Sequence, residues 1–243
     1  MELLRFDDVS FRYHSLNGET LAVSHLSFSV KVGEFVAIVG PSGCGKTTIL
    51  SLIAGLLSPS EGKIHRADEK YGYMLQRDEL FPWRTVLKNI LLPLEIERKL
   101  TKENREHCIS LANKYGLKDF LDKYPDQLSG GLRQRAALIR TLSTRPDLLL
   151  LDEPFSALDY QTRLNVCEDV SSIIREEKKT AVLITHDLSE GISVADKILV
   201  LTARPASLKA EHVVPFTERS PLKRRNLQEF PHLFDLLWRE LNE

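Results

Sequence analysis

The chain has 243 residues and a mass of 27.7 kDa, which suits one large domain or one domain that carries a subdomain. Hydrophobic residues make up 42% and charged residues 28%, as in an ordinary globular protein. Lys and Arg number 33 and Asp and Glu number 34, and the resulting net charge of −1 argues against a dedicated nucleic-acid-binding protein.

The distribution of apolar residues predicts neither a secretory leader nor a membrane span. The N-terminus carries no long apolar run. The longest uninterrupted apolar runs, such as residues 148–151, are far shorter than the ~20 residues needed to cross a bilayer. Any role at a membrane is therefore expected to work through a partner.

Strand patterns cover residues 5–39 and recur over 58–76. The apolar run at 35–39 is continuous, which is typical of a parallel strand buried on both faces. Short strands are predicted around Gly62 and at 71–74. The alternating apolar positions near the N-terminus are Val9, Phe11 and Tyr13 in one run and Leu26, Phe28 and Val30 in the next.

Residues 40–47 read Gly-Pro-Ser-Gly-Cys-Gly-Lys-Thr and match the phosphate-loop pattern G-x-x-x-x-G-K-[ST]. The motif follows a buried strand and precedes a predicted helix over 46–57, where backbone N–H groups and the helix N-terminus together bind anions. We expect Lys46 to reach the β- and γ-phosphates of a nucleotide and Thr47 to offer its hydroxyl to Mg²⁺. The predicted nucleotide contacts are Gly40, Pro41, Ser42, Gly43, Cys44, Gly45, Lys46, Thr47 and Thr48.

The three cysteines, Cys44, Cys108 and Cys167, match no metal-binding spacing and indicate reduced thiols in a cytosol-like compartment. Cys44 lies in the phosphate loop, before a helix and beside Lys46. Because both features favour a thiolate, we expect Cys44 to be the most reactive of the three.

The pattern changes to a helical one between residues 85 and 144, where no strong strand signal occurs. Cys108, Leu111, Ala112 and Tyr115 fall at i, i+3, i+4 and i+7 and form one apolar face. An all-helical subdomain is therefore predicted within a chain whose strands and helices otherwise indicate an open α/β sheet.

A second buried strand, 148–151, ends in the acids Asp152 and Glu153. In a sheet that carries a phosphate loop, an acid at the carboxyl end of a strand points into the ligand crevice. We expect Asp152 to hold Mg²⁺ through water, and Glu153 to face the γ-phosphate and polarise the attacking water. A helix over 160–177 and a strand at 181–184 continue the alternation.

Residues 128–135 read Leu-Ser-Gly-Gly-Leu-Arg-Gln-Arg and resemble the LSGGxxQR signature of ATP-binding-cassette (ABC) proteins. The resemblance covers nearly the whole chain, with the family's motifs in order. It implies an α/β P-loop NTPase fold with a RecA-like core sheet, a small antiparallel β subdomain and an α-helical subdomain. The implied single domain, 1–243, divides into an ATP-binding core at 1–84 and 146–218, a helical subdomain at 85–145 and a helical tail at 219–243.

The same resemblance assigns further residues. Tyr13 matches the aromatic that stacks on adenine, with a core tyrosine of a strand as the alternative. Gln76 matches a sensor of Mg²⁺ and water, His186 matches the switch histidine at the γ-phosphate, and residues 156–159 match a loop that contacts the opposite subunit. The implied catalytic residues are Glu153, His186 and Gln76, the implied Mg²⁺ ligands are Thr47, Gln76 and Asp152, and the further nucleotide contacts are Ser129, Gly130, Gly131, Gln134 and Asp159.

In ABC proteins two such domains enclose two ATP molecules head to tail. Each site would take Lys46 and Glu153 from one chain and Ser129 from the other. Since this chain holds one copy, the resemblance implies a second copy as partner, with ATP binding closing the dimer and hydrolysis opening it.

Residues 81–86, Phe-Pro-Trp-Arg-Thr-Val, resemble the nitrate, sulfonate and taurine importer group, which also includes transporters of thiamin-precursor-like compounds. In ABC importers this segment lines the groove for a coupling helix of the membrane permease, so we expect Phe81, Pro82 and Trp83 there. The alternative is that both aromatic residues belong to the core of the helical subdomain.

The resemblance thus implies an ATPase that uses ATP and Mg²⁺ to drive import of a small solute through a separate permease. Such a motor subunit would lie peripherally on the cytoplasmic face of the cell membrane, contact the extracytoplasmic solute-binding protein only indirectly, and bind no nucleic acid. A soluble ABC ATPase that acts as an assembly scaffold, and an exporter motor, are the alternatives.

The tail is predicted to form an amphipathic helix that docks on its own domain rather than on a partner. Its apolar face consists of Phe230, Leu233, Phe234, Leu237 and Leu241. The basic run at 219–225 is expected to be a solvated linker, with contact to anionic lipid as the alternative.

Overall fold

The computed structural model describes residues 1–15, 18–67, 70–156 and 158–242. The strands are β1 (Glu2–Ser15), β2 (Gly18–Lys31), β3 (Phe35–Val39), β4 (Glu61–Arg66), β5 (Tyr71–Met74), β6 (Leu148–Asp152), β7 (Thr180–Thr185), β8 (Lys197–Leu201) and β9 (Leu208–Val213). The helices are α1 (Lys46–Ile53), α2 (Val86–Ile96), α3 (Lys102–Lys114), α4 (Gly130–Leu142), α5 (Tyr160–Glu176), α6 (Leu188–Val194), α7 (Pro221–Arg224) and α8 (Glu229–Asn242), with 3-10 turns at Lys118–Phe120 and Pro125–Gln127.

The main sheet has six strands in the order β5-β6-β7-β3-β8-β9. Its first five strands are parallel, and β9 pairs antiparallel with β8 at one edge. Every residue of β3, β6, β7 and β8 is buried. The continuous apolar runs of the sequence therefore correspond to strands covered on both faces.

A smaller antiparallel sheet, β2-β1-β4, covers one face of the main sheet together with α1. Phe6 and Phe28 stack between its strands, with ring centroids 4.6 Å apart. Helix α1 ends at Ile53, four residues earlier than the sequence pattern suggested. The reason is Gly55, whose φ of +72° gives the left-handed turn that ends many helices.

The helical segment α2 to α4 lies in the chain between β5 and β6 and packs with α5 on the other face of the sheet. Three of its helices begin at a side chain that accepts a backbone hydrogen bond: Thr85 from Lys88, Thr101 from Asn104, and Ser129 from Leu132. The predicted helical character of this stretch agrees with the structure.

The C-terminal helix α8 docks on its own domain, as predicted. Phe230 and Leu237 are buried in a separate hydrophobic core that includes Ile192 of α6 and Val200 of β8. Leu233, Phe234 and Leu241 pack against the same core. No helix in the described part of the chain combines the length and apolar character that a bilayer crossing requires.

The expectation of a solvated linker at 219–225 is wrong at Arg224. Its side chain is fully buried, and it donates hydrogen bonds to the carbonyls of Glu218, Ser193 and Ala195 at 2.6, 3.2 and 2.7 Å. The guanidinium thereby satisfies carbonyls at the C-terminal end of α6, which a helix end leaves without partners.

Candidate functional site

The phosphate loop and the acids after β6 meet at the carboxyl edge of the main sheet, around an open pocket of about 360 Å³. Parallel strands end together at this edge, so the loops that follow β3, β5, β6 and β8 all contribute residues. The pocket is lined by Ser42, Gly43, Gly45, Lys46, Thr47, Thr48, Gln76, Asp152, Glu153 and Arg204.

The phosphate loop wraps tightly against β2. Gly45 has a φ of +128°, and a Cβ atom there would lie 2.8 Å from the carbonyl oxygen of Ala22. Only glycine fits such a position without displacing the neighbouring backbone. The N-cap residue of α1 is Gly45, which has no side chain to cap the helix, so the first N–H groups of α1 are available to an anion in the pocket.

Lys46 is 5% exposed, and its ammonium donates hydrogen bonds to the carbonyl oxygens of Gly40 and Pro41 at 2.8 and 3.0 Å. Both acceptors are neutral, so they orient the positive charge without cancelling it. A phosphate group in the pocket would gain a charge-assisted partner held close to the loop.

The predicted Mg²⁺ ligands Thr47, Gln76 and Asp152 all line this pocket. The Tyr73 hydroxyl donates to Asp152 at 3.2 Å, and burial raises the pKa of the Asp152 carboxyl despite that bond. A hydroxyl, an amide and a carboxylate form the hard oxygen donor set that Mg²⁺ prefers, so these residues fit the ion.

Glu153 projects differently from its neighbour because its φ is +44°, an uncommon value for a residue other than glycine. Its carboxylate lies 3.0 Å from Nδ1 of His186. Ser156 donates to the Glu153 carbonyl at 2.9 Å and accepts from Gln76 at 3.1 Å. The three predicted catalytic residues are thus joined in one hydrogen-bonded group, with Ser156 as the link.

Tyr13 is a surface residue beside the phosphate loop, and the alternative of a core tyrosine is wrong. Its side chain is 41% exposed, and its hydroxyl lies 3.0 Å from that of Thr48. The Phe11 ring packs edge-on against the Tyr13 ring, with the ring centroids 4.8 Å apart. The hydroxyl contact and the edge contact hold a ring that is open to solvent, as stacking on a flat base requires.

The signature residues lie around a second open pocket of about 410 Å³, to which Ser129, Gly130, Gly131 and Asp159 contribute. This pocket and the phosphate-loop pocket share no lining residue. Gln134 is buried and lines a third recess, together with residues 77–80. In the motif at 156–159, Ala157 lies outside the described residues.

The reason given for a reactive Cys44 is wrong, because its surroundings do not favour the thiolate, while the ranking of the three thiols stays a prediction. Cys44 is 1% exposed, and burial raises the pKa of its thiol although Lys46 acts in the opposite direction. Cys108 and Cys167 are also buried, and burial raises the pKa of the Cys108 thiol to about 11. Proximity to a lysine and a helix start does not favour a thiolate when the sulfur faces the protein interior.

Phe81 and Trp83 form a stacked pair at the surface, with ring centroids 5.0 Å apart. Phe81 is 38% and Trp83 72% exposed, so the alternative of core residues is wrong. Asn89 fixes the segment, since its amide accepts from the Phe81 N–H at 2.7 Å and donates to the Phe81 carbonyl at 3.1 Å.

The segment between Gln76 and this pair is attached to α4. Arg133 forms an ion pair with Asp78 at 3.0 Å, and Arg140 donates to the carbonyls of Asp78 and Glu79 at 2.6 and 2.7 Å. The helix that begins with the signature thus holds the loop that follows Gln76. These contacts were not predicted from the sequence, because the partners are more than 50 residues apart.

Three residues of the site were missed from sequence: Arg204 lines the pocket, and Tyr73 and Ser156 are hydrogen-bonded to residues that line it. Tyr73 belongs to β5 and Arg204 follows β8, and the carboxyl ends of both strands lie at the same edge as the phosphate loop. Their place at the ends of these strands could have identified them from the sequence. Ser156 carried no such signal, since its role depends on side-chain geometry between two loops.

Comparison with known proteins places the chain in a family. Residues 23–156 match the sequence profile of the ABC transporter family, ABC_tran. The "Uncharacterized ABC transporter ATP-binding protein YtlC" of Bacillus subtilis is 44% identical, with 100% of this chain and 96% of that protein covered. The "Formylaminopyrimidine import ATP-binding protein ThiZ" of Halalkalibacterium halodurans is also 44% identical, over 88% of this chain and 85% of that protein.

Among solved structures, the chain resembles the dimeric ATP-binding cassette MJ0796 bound to ADP and Pi. The TM-score is 0.71 at 28% identity, and the match covers 88% of this chain and 99% of that one. The chain therefore belongs to the ABC transporter family and has the α/β fold of its ATP-binding cassettes. It is an ATPase whose ligands are ATP and Mg²⁺.

Proposed function

We propose that this chain is the motor subunit of an ABC importer and works as a head-to-tail dimer of two copies. ATP binding closes the dimer and hydrolysis opens it, and the cycle drives a small solute through a separate permease. The solute is of the nitrate, sulfonate, taurine or thiamin-precursor type. ThiZ, by its name a formylaminopyrimidine import protein, supports the last of these classes.

The proposal of a dimer rests on one observation: the phosphate-loop pocket and the signature pocket are separate on a single chain. Lys46, Asp152 and Glu153 face the first pocket, and Ser129 faces the second. Two copies arranged head to tail would bring the Ser129 pocket of one onto the Lys46 pocket of the other. Such a site would be complete only between subunits.

Within that site each residue has a proposed role. Lys46 and the N–H groups of the loop bind the phosphates, and Thr47, Gln76 and Asp152 hold Mg²⁺. Glu153 polarises the attacking water, and His186, which is bonded to it, contacts the γ-phosphate. Tyr13 stacks on adenine. Gly130, Gly131, Gln134 and Asp159 complete the site from the partner's side.

The exposed aromatic pair supports a permease as the membrane partner. An adjacent Phe and Trp at the surface suit an interface, where aromatic residues contribute much of the binding free energy. Pro82 lies between them in the sequence. The proposed subunit lies peripherally at the cytoplasmic face of the membrane and meets a solute-binding protein only through the permease. The proposed subunit consists of an ATP-binding core (1–84, 146–218), a helical subdomain (85–145) and a tail (219–243).

Trp83→Ala tests the importer assignment. We expect the variant to bind the permease with at least ~2 kcal/mol less free energy, roughly a 30-fold loss of affinity. Its melting temperature and its ATPase rate without permease stay at the wild-type values, because Trp83 is exposed and lies outside the phosphate pocket. The measurement is co-purification with the permease in detergent, with thermal melting of the isolated subunit.

Trp238→Ala is the matched control, since Trp238 is 56% exposed but lies on α8. It should leave co-purification unchanged. If both variants co-purify like the wild type, the groove assignment is wrong. If the wild-type protein stays in the soluble fraction when the permease is present, a soluble assembly ATPase replaces the importer motor.

A further inference from the structure

Arg204 lines the phosphate-loop pocket and belongs to none of the motifs that define the site. It follows β8, whose carboxyl end lies at the same edge of the sheet as the phosphate loop. Within residues 1–15, 18–67, 70–156 and 158–242, its guanidinium has no hydrogen-bond or ion-pair partner. An exposed arginine that faces a pocket without a partner is available to a ligand.

The turn that carries Arg204 is fixed to β2 and to itself. Ala206 donates to the Ala22 carbonyl and accepts from the Ser24 N–H, both at 2.9 Å. The Thr202 side chain accepts from the Ser207 N–H at 2.9 Å and donates to the Pro205 carbonyl at 3.0 Å. Hydrogen bonds on both sides of Arg204 therefore hold the turn in place beside β2.

The same turn abuts the phosphate loop. A Cβ atom at Gly45 would lie 3.3 Å from Cβ of Ala206, and one at Gly40 would lie 3.1 Å from Cβ of Leu201. Any group bound by the loop is consequently close to the backbone around Arg204. Both glycines keep the two segments in contact.

The negative charge in the pocket calls for a cationic partner, which Arg204 can supply. A nucleoside triphosphate with Mg²⁺ remains anionic, and the pocket adds the carboxylates Asp152 and Glu153. Of the pocket's two basic side chains, Lys46 is bonded to loop carbonyls. Arginine presents a planar set of donors that matches two phosphate oxygens at once.

We propose that Arg204 binds the phosphate groups of the nucleotide held by its own chain, as an additional nucleotide-binding residue outside the family's motifs. This inference rests on the assignment of the pocket to ATP. The chemical class of the ligand is a nucleoside polyphosphate, recognised through its negative charge rather than its base.

The test is the equilibrium affinity of the isolated subunit for Mg-ATP and Mg-ADP, measured with a fluorescent nucleotide and by competition. We expect Arg204→Ala to weaken both at least tenfold, and Arg204→Lys to recover part of the loss because charge returns without the planar geometry. The affinity of Arg204→Ala should also depend less steeply on KCl concentration. Its melting temperature without nucleotide should equal that of the wild type.

Two reference variants make the result decisive. Lys209→Ala removes an exposed cation from β9, outside the pocket lining, and should bind like the wild type. Lys46→Ala should abolish binding. Affinity of Arg204→Ala within twofold of the wild type overturns the proposal, and so does equal weakening by Arg204→Lys with a lowered melting temperature. If Lys46→Ala also binds normally, the assignment of the pocket to ATP fails as well.

Discussion

Asp152 and Glu153, two neighbouring acids at the end of β6, have different hydrogen-bond partners because the backbone turns between them. Asp152 is the last residue of the strand and remains 9% exposed beside the Tyr73 hydroxyl. The next residue, Glu153, has a positive φ that turns its side chain toward His186. A single change of backbone direction thus separates the acid proposed to hold Mg²⁺ from the acid proposed to activate water.

Replacing Glu153 by Gln should retain ATP binding and remove nearly all hydrolysis. The amide keeps the size of the side chain and its contact with His186, but it cannot accept a proton from the attacking water. We expect the ATPase rate to fall at least 100-fold with the affinity for Mg-ATP within a few-fold of the wild type. Steady-state phosphate release and nucleotide binding measure the two quantities. Turnover near the wild-type rate would show that Glu153 does not have this role.

At the scale of elements, helix α6 depends on polar contacts at both ends. Asp187 caps its start and accepts from the N–H groups of Ser189 and Glu190 at 2.8 and 3.3 Å. Arg224, from the tail, binds the carbonyls at its end. His186 precedes the cap residue Asp187, so the tail supports a helix that begins next to a residue bonded to Glu153 of the phosphate pocket.

Arg224→Ala should destabilise the protein by roughly 3 kcal/mol, because buried carbonyls of α6 lose their donor and a cavity is left. Lys223→Ala, one residue earlier and exposed, is the control and should change the free energy of unfolding by less than ~0.5 kcal/mol. Urea unfolding followed by circular dichroism gives both values. Equal stability of the two variants would contradict the structural role assigned to Arg224.

One chain presents two incomplete surfaces. The phosphate pocket has the loop and the two acids, with His186 bonded to Glu153, and the signature pocket has Ser129 at the start of α4. Arg133 and Arg140 of the same helix hold the loop between Gln76 and the exposed aromatic pair. Movement of the signature helix on dimer closure would therefore displace the proposed permease-binding segment.

Mixed dimers test the proposed sharing of residues between chains. Lys46→Ala and Ser129→Arg should each be inactive alone, but a mixed dimer contains one site in which both residues are wild type. An equimolar mixture should regain up to roughly a quarter of the wild-type ATPase rate, since half of the dimers are mixed and each has one intact site.

A mixture of Lys46→Ala with Glu153→Gln is the control for this experiment. Both changes lie on the same side of a shared site, so every site in the mixed dimer is defective and the mixture should stay inactive. Recovery in both mixtures, or in neither while each variant remains folded by circular dichroism, would contradict the head-to-tail arrangement.

Local patterns were enough to predict four strands of the main sheet and to locate the phosphate loop. Continuous apolar runs identified β3, β6 and β7, because a strand covered on both faces has no polar positions. The phosphate loop was recognised from the glycines and the lysine that it requires. Asp152 and Glu153 were recognised from their place at the end of a strand. These signals lie within a few consecutive residues, so no tertiary information was needed.

The tertiary structure alone decided the burial of particular side chains outside the regular patterns and which distant residues meet. Cys44 is next to Lys46 but faces the interior, and Arg224 belongs to a basic run but lies in the core. Trp83 is apolar but lies at the surface, and Arg204 reaches the phosphate pocket from a turn more than 150 residues away from the loop. Burial and contact between distant segments depend on how the elements pack, and hydrophobicity or charge along the sequence does not encode that packing.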